Sequence, residues 1–392
     1  MISRDIAVEV AHYSKQFPVV CLLGPRQCGK TTIAKHYQSI QKRDSFYLDL
    51  ESPADIRKLS DPELLFTQNE DSLFILDEVQ RMPEIFAILR SVIDKKRISG
   101  RFLLLGSASP SLIRGVSESL AGRIAYIHAF PFHYSEIAGK PNALRRHWLR
   151  GGFPDAFLSK TDAAAATWLA AFVRTYIERD LNTLFGVSFS STLMFKLWRM
   201  LAHHHGGIWN AQSFAKGLDI SPTTVNRYID YLEGAFVVRK LMPYYINIGK
   251  RLVKSPKVYI TDTGILHHLL DIHDYKTLQV HPIVGYSWES YVLEQICQKL
   301  PRNIQPFFYR THDGSEIDLI LVKGINPICC IEIKWSHSPN ISKGMTESIK
   351  DLQCKKNYII IPADEKEMPM RKDIYTVGFK YFIINILSVI TK

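Results

Sequence analysis

Three observations predict an α/β chain. Its N-terminal part is a mainly parallel sheet core, followed by a helical linker, a basic helical region and a second, smaller α/β part. The first observation is alternation: short apolar runs at 18–24 (PVVCLLG), 45–50 (SFYLDL), 72–77 (SLFILD) and 101–107 (RFLLLGS) are separated by helical patterns. Strand alternating with helix predicts a parallel sheet covered on both faces. The second is a charge shift: residues 196–257 carry ten Lys or Arg against Asp219, Asp230 and Glu233. The third is a return to strands at 305–310, 315–322 and 328–334, after a helix that begins near 285. The expected division is 1–145, 146–200, 201–258 and 259–392, consistent with the two to four domains that 392 residues suggest.

Composition narrows the classes. Apolar residues make up 46% and charged residues 22%, which excludes a disordered chain. The net charge of +11 points to an anionic partner such as nucleic acid or nucleotide. No stretch approaches the roughly 18 apolar residues of a membrane span, and no apolar run of signal-peptide length follows Met1. A cytoplasmic chain without a membrane partner is expected. The six cysteines, Cys21, Cys28, Cys297, Cys329, Cys330 and Cys354, show no zinc spacing and read as reduced apolar fillers.

The strand at 18–24 runs into Gly24-Pro25-Arg26-Gln27-Cys28-Gly29-Lys30-Thr31-Thr32, and a helix follows. G-x-x-x-x-G-K-T in this context predicts a phosphate loop, or P-loop. Gly24 and Gly29 let the backbone curl so that its N–H groups face phosphates, and the helix start adds a favourable dipole. Lys30 would reach the β- and γ-phosphates of ATP, and Thr31 would ligate Mg²⁺. The strand Phe74-Ile75-Leu76 ends in Asp77 and Glu78. Asp77 would hold Mg²⁺ through water and Glu78 would polarise the attacking water, which makes the reaction hydrolysis. Ser107, directly after the next strand, is a candidate γ-phosphate sensor or a simple helix cap. Arg123, in the turn Leu120-Ala121-Gly122-Arg123, is a candidate for stabilising γ-phosphate charge, in cis or from a neighbouring subunit. Arg26 is a weaker candidate. A homo-oligomer would be needed for the second arrangement.

Residues 210–216 read as a short helix, 217–220 as a turn, and 222–233 as a second helix capped by Ser221 with Pro222 at its first position. Val225, Ile229 and Leu232 share its buried face, leaving Thr223, Thr224, Asn226 and Arg227 outward, where a recognition helix reads bases. Residues 235–245 would form a wing. Arg239, Lys240, Lys250, Arg251, Lys254 and Lys257 are candidate DNA-phosphate contacts. A winged helix used only for packing is the alternative. His203-His204-His205 reads as a surface run at a helix end, because adjacent helical residues diverge.

Glu316 and Asp318 share one strand face, as do Glu332 and Lys334 on the next strand. Asp318 and Glu332 would hold Mg²⁺, Lys334 would orient water, and Glu289 on the preceding helix is a possible fourth member. The order of helix Glu, then Asp, then E-x-K resembles the PD-(D/E)xK restriction-endonuclease-like core.

The whole sequence of pieces (GPRQCGKTT, FILDEVQRMPEIF, LLLGSASPSLI, LAGR, FPFHYSEI, GGFPDAF, YIERDL, SPKVYITDTGIL, GSEIDLIL and IEIKWS) resembles bacterial and archaeal AAA-like ATPases carrying a DUF4143 region, up to about residue 365. The resemblance implies an ATPase joined to a winged helix and a nuclease-like C-terminus. It departs from many AAA proteins in ending the sensing strand in Ser rather than Asn. The expected function is a Mg²⁺-dependent ATPase that binds or acts on DNA. A nucleotide-switched DNA-binding regulator without cleavage and a signalling ATPase with protein partners remain as alternatives.

Overall fold

The computed structural model describes residues 2–107, 120–186, 189–245 and 251–391. Its chain forms two compact units. One comprises Met1–Phe132, Thr175–Phe189 and Gly234–Phe236, and the other His133–Arg174, Ser190–Glu233 and Val237–Lys392. The boundaries expected at 145, 200 and 258 fall inside the helix Ala143–Arg150, the helix Ser191–His203 and a strand, respectively.

The first unit is built on five parallel strands: β1 (Val19–Leu23), β2 (Ser45–Asp49), β3 (Leu73–Asp77), β4 (Phe102–Gly106) and β5 (Ile124–His128). Their order is β2-β3-β4-β1-β5. Successive residues of a strand point to opposite faces, and the core divides accordingly. Val19, Cys21, Leu23, Phe74, Leu76, Phe102 and Leu104 pack with the helices Pro62–Gln68 and Ile85–Lys95. Val20, Leu22, Leu73, Ile75, Leu103 and Leu105 pack with Ile6, Val10, Ile33, Ala34 and Tyr37 of the helices Asp5–Tyr13 and Lys30–Ser39. These strands are apolar at every position because helices cover both faces.

The second unit carries a mixed sheet of β8 (Ile304–Arg310), β9 (Glu316–Lys323), β10 (Asn326–Ile333), β11 (Asn357–Ile361), β12 (Met368–Arg371) and β13 (Ile374–Gly378), after a short antiparallel pair, β6 (Val238–Leu241) and β7 (Lys257–Ile260). The order is β12-β13-β11-β10-β9-β8. The C-terminal tail supplies the parallel strand β13 beside β11 and the buried Phe379 and Phe382.

The helix Val284–Cys297 is buried on every side from Ser287 to Ile296. It therefore carries Glu289, Glu294 and Gln295 into the interior, where each needs a partner. The helix-turn-helix forms as expected: Ala211–Leu218, capped by Asn210, then Asp219 with φ 55°, then Pro222–Gly234 with Val225, Ile229 and Leu232 buried. Residues between β6 and β7 do not all stand free as a wing. Tyr244 and Val253 donate backbone hydrogen bonds to Phe308 and Arg310 of β8. All six cysteines are free. Among the described residues no helix is long and apolar enough to cross a membrane.

Candidate functional site

In the first unit β4 lies between β1 and β3, so three strand ends converge. β1 delivers the glycine loop, β4 delivers Ser107, and β3 delivers Asp77. The loop is tight. A Cβ on Gly24 would lie 2.0 Å from the Ala129 carbonyl oxygen, so only glycine fits. Gly29 takes φ 97°, a left-handed turn that releases the chain into the helix Lys30–Ser39. Arg4 braces the loop from outside, donating to the Cys28 carbonyl at 3.0 Å and to that of Phe130 at 2.7 Å.

Lys30 is buried and folds back onto the loop, donating to the carbonyls of Gly24 (3.0 Å) and Pro25 (2.8 Å). The Thr31 hydroxyl donates to Asp77 Oδ2 at 2.8 Å, and Tyr47 donates to the same oxygen. Asp77 Oδ1 accepts from the Glu78 amide at 2.9 Å. Both oxygens of this buried carboxylate are thus fixed. Glu78 takes φ 53° and its carboxylate accepts from Gln80. Burial raises its pKa above the ordinary value, opposed by Lys30, Gln80 and Arg26. Ser107 is 2% exposed and its hydroxyl has no hydrogen-bond partner among the described residues. Arg26 leaves the loop to meet Asp180 (2.5 Å) and Glu51 (3.3 Å).

The sequence reading of Arg123 needs correction. It precedes β5, whose first residue pairs with Val19 at the start of β1, so it lies at the opposite end of the parallel sheet from the loop. It bonds Asp94 at 2.6 Å. This position closes a role in cis to it and leaves a surface arginine paired with Asp94 or donation to another copy.

In the second unit the register Leu319↔Ile331 carries Asp318 alongside Glu332. Asp318 Oδ2 accepts from the Ile333 amide at 2.8 Å, and Glu332 Oε1 accepts from Lys334 at 2.6 Å. Glu289 joins them, accepting from Tyr259 at 2.6 Å. The sequence reading missed a central member. Lys257, read as a DNA-phosphate contact, is buried with its Nζ 2.7 Å from Glu316, 3.3 Å from Glu289 and 3.9 Å from Asp318. Burial and the neighbouring Glu332 and Glu289 push the Asp318 carboxyl well above the usual range. Among the described residues no three His, Cys, Asp or Glu side chains are grouped to hold a metal ion. The expected Mg²⁺ pair Asp318 and Glu332 is brought together, but inside an ion-paired cluster that does not fit a divalent ion as it stands.

Comparison with known proteins gives three family-model matches: an AAA domain at 16–138, DUF8612, a domain of unknown function, at 141–276, and DUF4143, also a domain of unknown function, at 284–380. An uncharacterized protein of Mycobacterium tuberculosis is 40% identical over 364 residues, covering 93% of this chain and 80% of its own length. One of Haemophilus influenzae is 23% identical over 302 residues, covering 69% of this chain and 74% of its own. This chain belongs to the family of AAA-domain proteins with a C-terminal DUF4143 region. The Walker-type ATPase PABY2304 of Pyrococcus abyssi shares the fold at 15% identity, with a TM-score of 0.50 over 69% of this chain and 96% of that one. The first unit is therefore a P-loop ATPase-like domain. The DUF4143 match begins only at 284, so the helix-turn-helix lies within the DUF8612 match.

Across this DUF8612 segment the basic residues sort differently from their reading as surface cations. Arg239 forms a bidentate pair with buried Glu294, Lys240 bonds Asp230 and Glu233, and Lys257 is inside. Lys250 lies outside the described residues, while Arg227, Arg251 and Lys254 are exposed. Asn226 is exposed but accepts from Trp209 at 2.8 Å. His205 is not on the surface: it is 3% exposed, accepts from the Ile260 amide, and burial lowers its pKa to about 3.

Proposed function

We propose that the chain hydrolyses ATP with Mg²⁺ at the loop of its AAA domain. The observation that carries this is the Thr31 hydroxyl on the Asp77 carboxylate, beside Lys30 and Glu78. Mg²⁺, when bound, neutralises charge between the β- and γ-phosphates. Thr31 and Asp77 would hold it. Lys30, now on two loop carbonyls, would exchange them for phosphate oxygens. Glu78 would accept a proton from the attacking water, and the unpartnered Ser107 hydroxyl would donate to the γ-phosphate. Lys30→Ala removes a charge-assisted bond worth about 1.5–3 kcal/mol, so affinity for a fluorescent ATP analogue is expected to fall by about 10- to 100-fold. Unchanged affinity in the folded variant would defeat the assignment.

A second reading, DNA binding without required cleavage, rests on the exposed N-terminal face of the helix Pro222–Gly234, with Thr223 and Arg227, together with exposed Arg251 and Lys254. If the three cations Arg227, Arg251 and Lys254, exposed among the described residues, make the contacts, the log–log salt slope for duplex DNA is expected near −3. A slope near −6 would mean that cations beyond these three reach phosphates, and no binding at low salt would remove this reading.

A further inference from the structure

The carboxylate cluster lines a cavity of about 730 Å³ that also receives His205 and Lys334. Lys257 sits among its acids with its side chain 4% exposed. Taking an ammonium out of water costs several kcal/mol, and it stays inside only where carboxylates offset that cost. Here three do so, from two separate elements: Glu316 and Asp318 on β9, and Glu289 on the helix Val284–Cys297. The ammonium arrives from a third element, β7, so the fold brings the cation in from outside the acidic strands. A divalent ion in this cluster would draw on the same oxygens. It would also sit within a few ångströms of a fixed positive charge, in surroundings that screen poorly.

The cluster nonetheless retains acceptor capacity. Glu332 is 7% exposed, lines the cavity, and its Oε2 is buried without a partner. Lys334 is committed to the other oxygen of Glu332 and leaves this one open.

We propose that Lys257 is the resident cation of the cluster, and that it excludes divalent metal ions from the nuclease-like site of the native chain. The site is then a closed, lysine-neutralised relative of a metal site. Removing the ammonium frees Glu289 and Asp318, with Glu332 Oε2 nearby, for one hard divalent ion, while Arg310 keeps its 3.2 Å bond to Glu316.

Mn²⁺ titration of the full-length, nucleotide-free chain, followed by electron paramagnetic resonance, tests this. The native chain and Lys257→Arg are expected to show no Asp318-dependent site tighter than about 1 mM, the weak end of oxygen-donor affinities. Lys257→Met is expected to gain one site, which Lys257→Met/Asp318→Asn loses. A native Mn²⁺ site that Asp318→Asn abolishes would overturn the proposal, and so would a folded Lys257→Met chain that gains none. Should Lys257→Met fail to show a cooperative melt, the native against Asp318→Asn comparison still decides: an Asp318-dependent native site refutes the proposal and its absence supports it.

Discussion

Glu78→Gln is expected to lower ATP turnover by about 10²- to 10⁴-fold, the usual contribution of a positioned general base, while the nucleotide still binds. The substitution keeps size and shape, and the left-handed backbone at position 78 is already accommodated. What is lost is the ability to take a proton. The Asp77 carboxylate beside it cannot substitute, because Thr31 and Tyr47 hold one of its oxygens and the Glu78 amide the other. The pH profile supplies an independent check. Burial raises the Glu78 pKa above its ordinary value. A base works only when ionised, so native turnover is expected to fall as acid is added, beginning above the ordinary range for a glutamate. The Gln variant should lack that limb. Turnover within a few-fold of native would assign the base elsewhere, and lost nucleotide binding would show that the side chain holds the loop rather than the water.

How much of this was legible from the sequence depends on how far apart the cooperating residues lie. β1 to β4 were readable because an all-apolar run beside a helical pattern fixes a covered parallel strand locally, and the loop motif names its own chemistry. β5 was missed: Ile124–His128 is half exposed on alternate residues and ends in His128, so it lacks the continuous apolar signal of a covered strand. That omission is why Arg123 looked available in cis. Only the strand order shows that a residue before β5 faces away from the loop. Cations were misread for the same reason. Lys257 meets Glu289 at a separation of 32 residues and Arg239 meets Glu294 at 55, and no local pattern marks either partner. A charge count sees ten basic residues in that region but not which of them are already neutralised. Tyr47, which completes the hold on Asp77 from 30 residues away, carried no local signal either.

The pair Arg239 and Glu294 carries the largest stability expectation. Glu294 is 3% exposed, and Arg239 reaches it with two guanidinium nitrogens. Glu294→Ala leaves a largely buried guanidinium facing an apolar gap, a change that typically costs about 3–5 kcal/mol. Arg239 keeps about a quarter of its side chain in contact with solvent, which favours the lower figure. For a unit of this size, each kcal/mol moves the melting temperature by about 2–4 °C, so a drop of about 6–12 °C is expected by calorimetry. Asp230→Ala is the internal control. It breaks an ion pair of similar length to Lys240, but Asp230 is 63% exposed and Lys240 retains Glu233, so less than about 1 kcal/mol should be lost. Equal destabilisation by the two variants would mean that burial is not what makes the first pair costly to break. Replacing both partners with apolar residues separates the remaining possibilities. If the penalty comes from the stranded charge rather than from the lost attraction, Arg239→Met/Glu294→Leu recovers most of the melting temperature that Glu294→Ala loses.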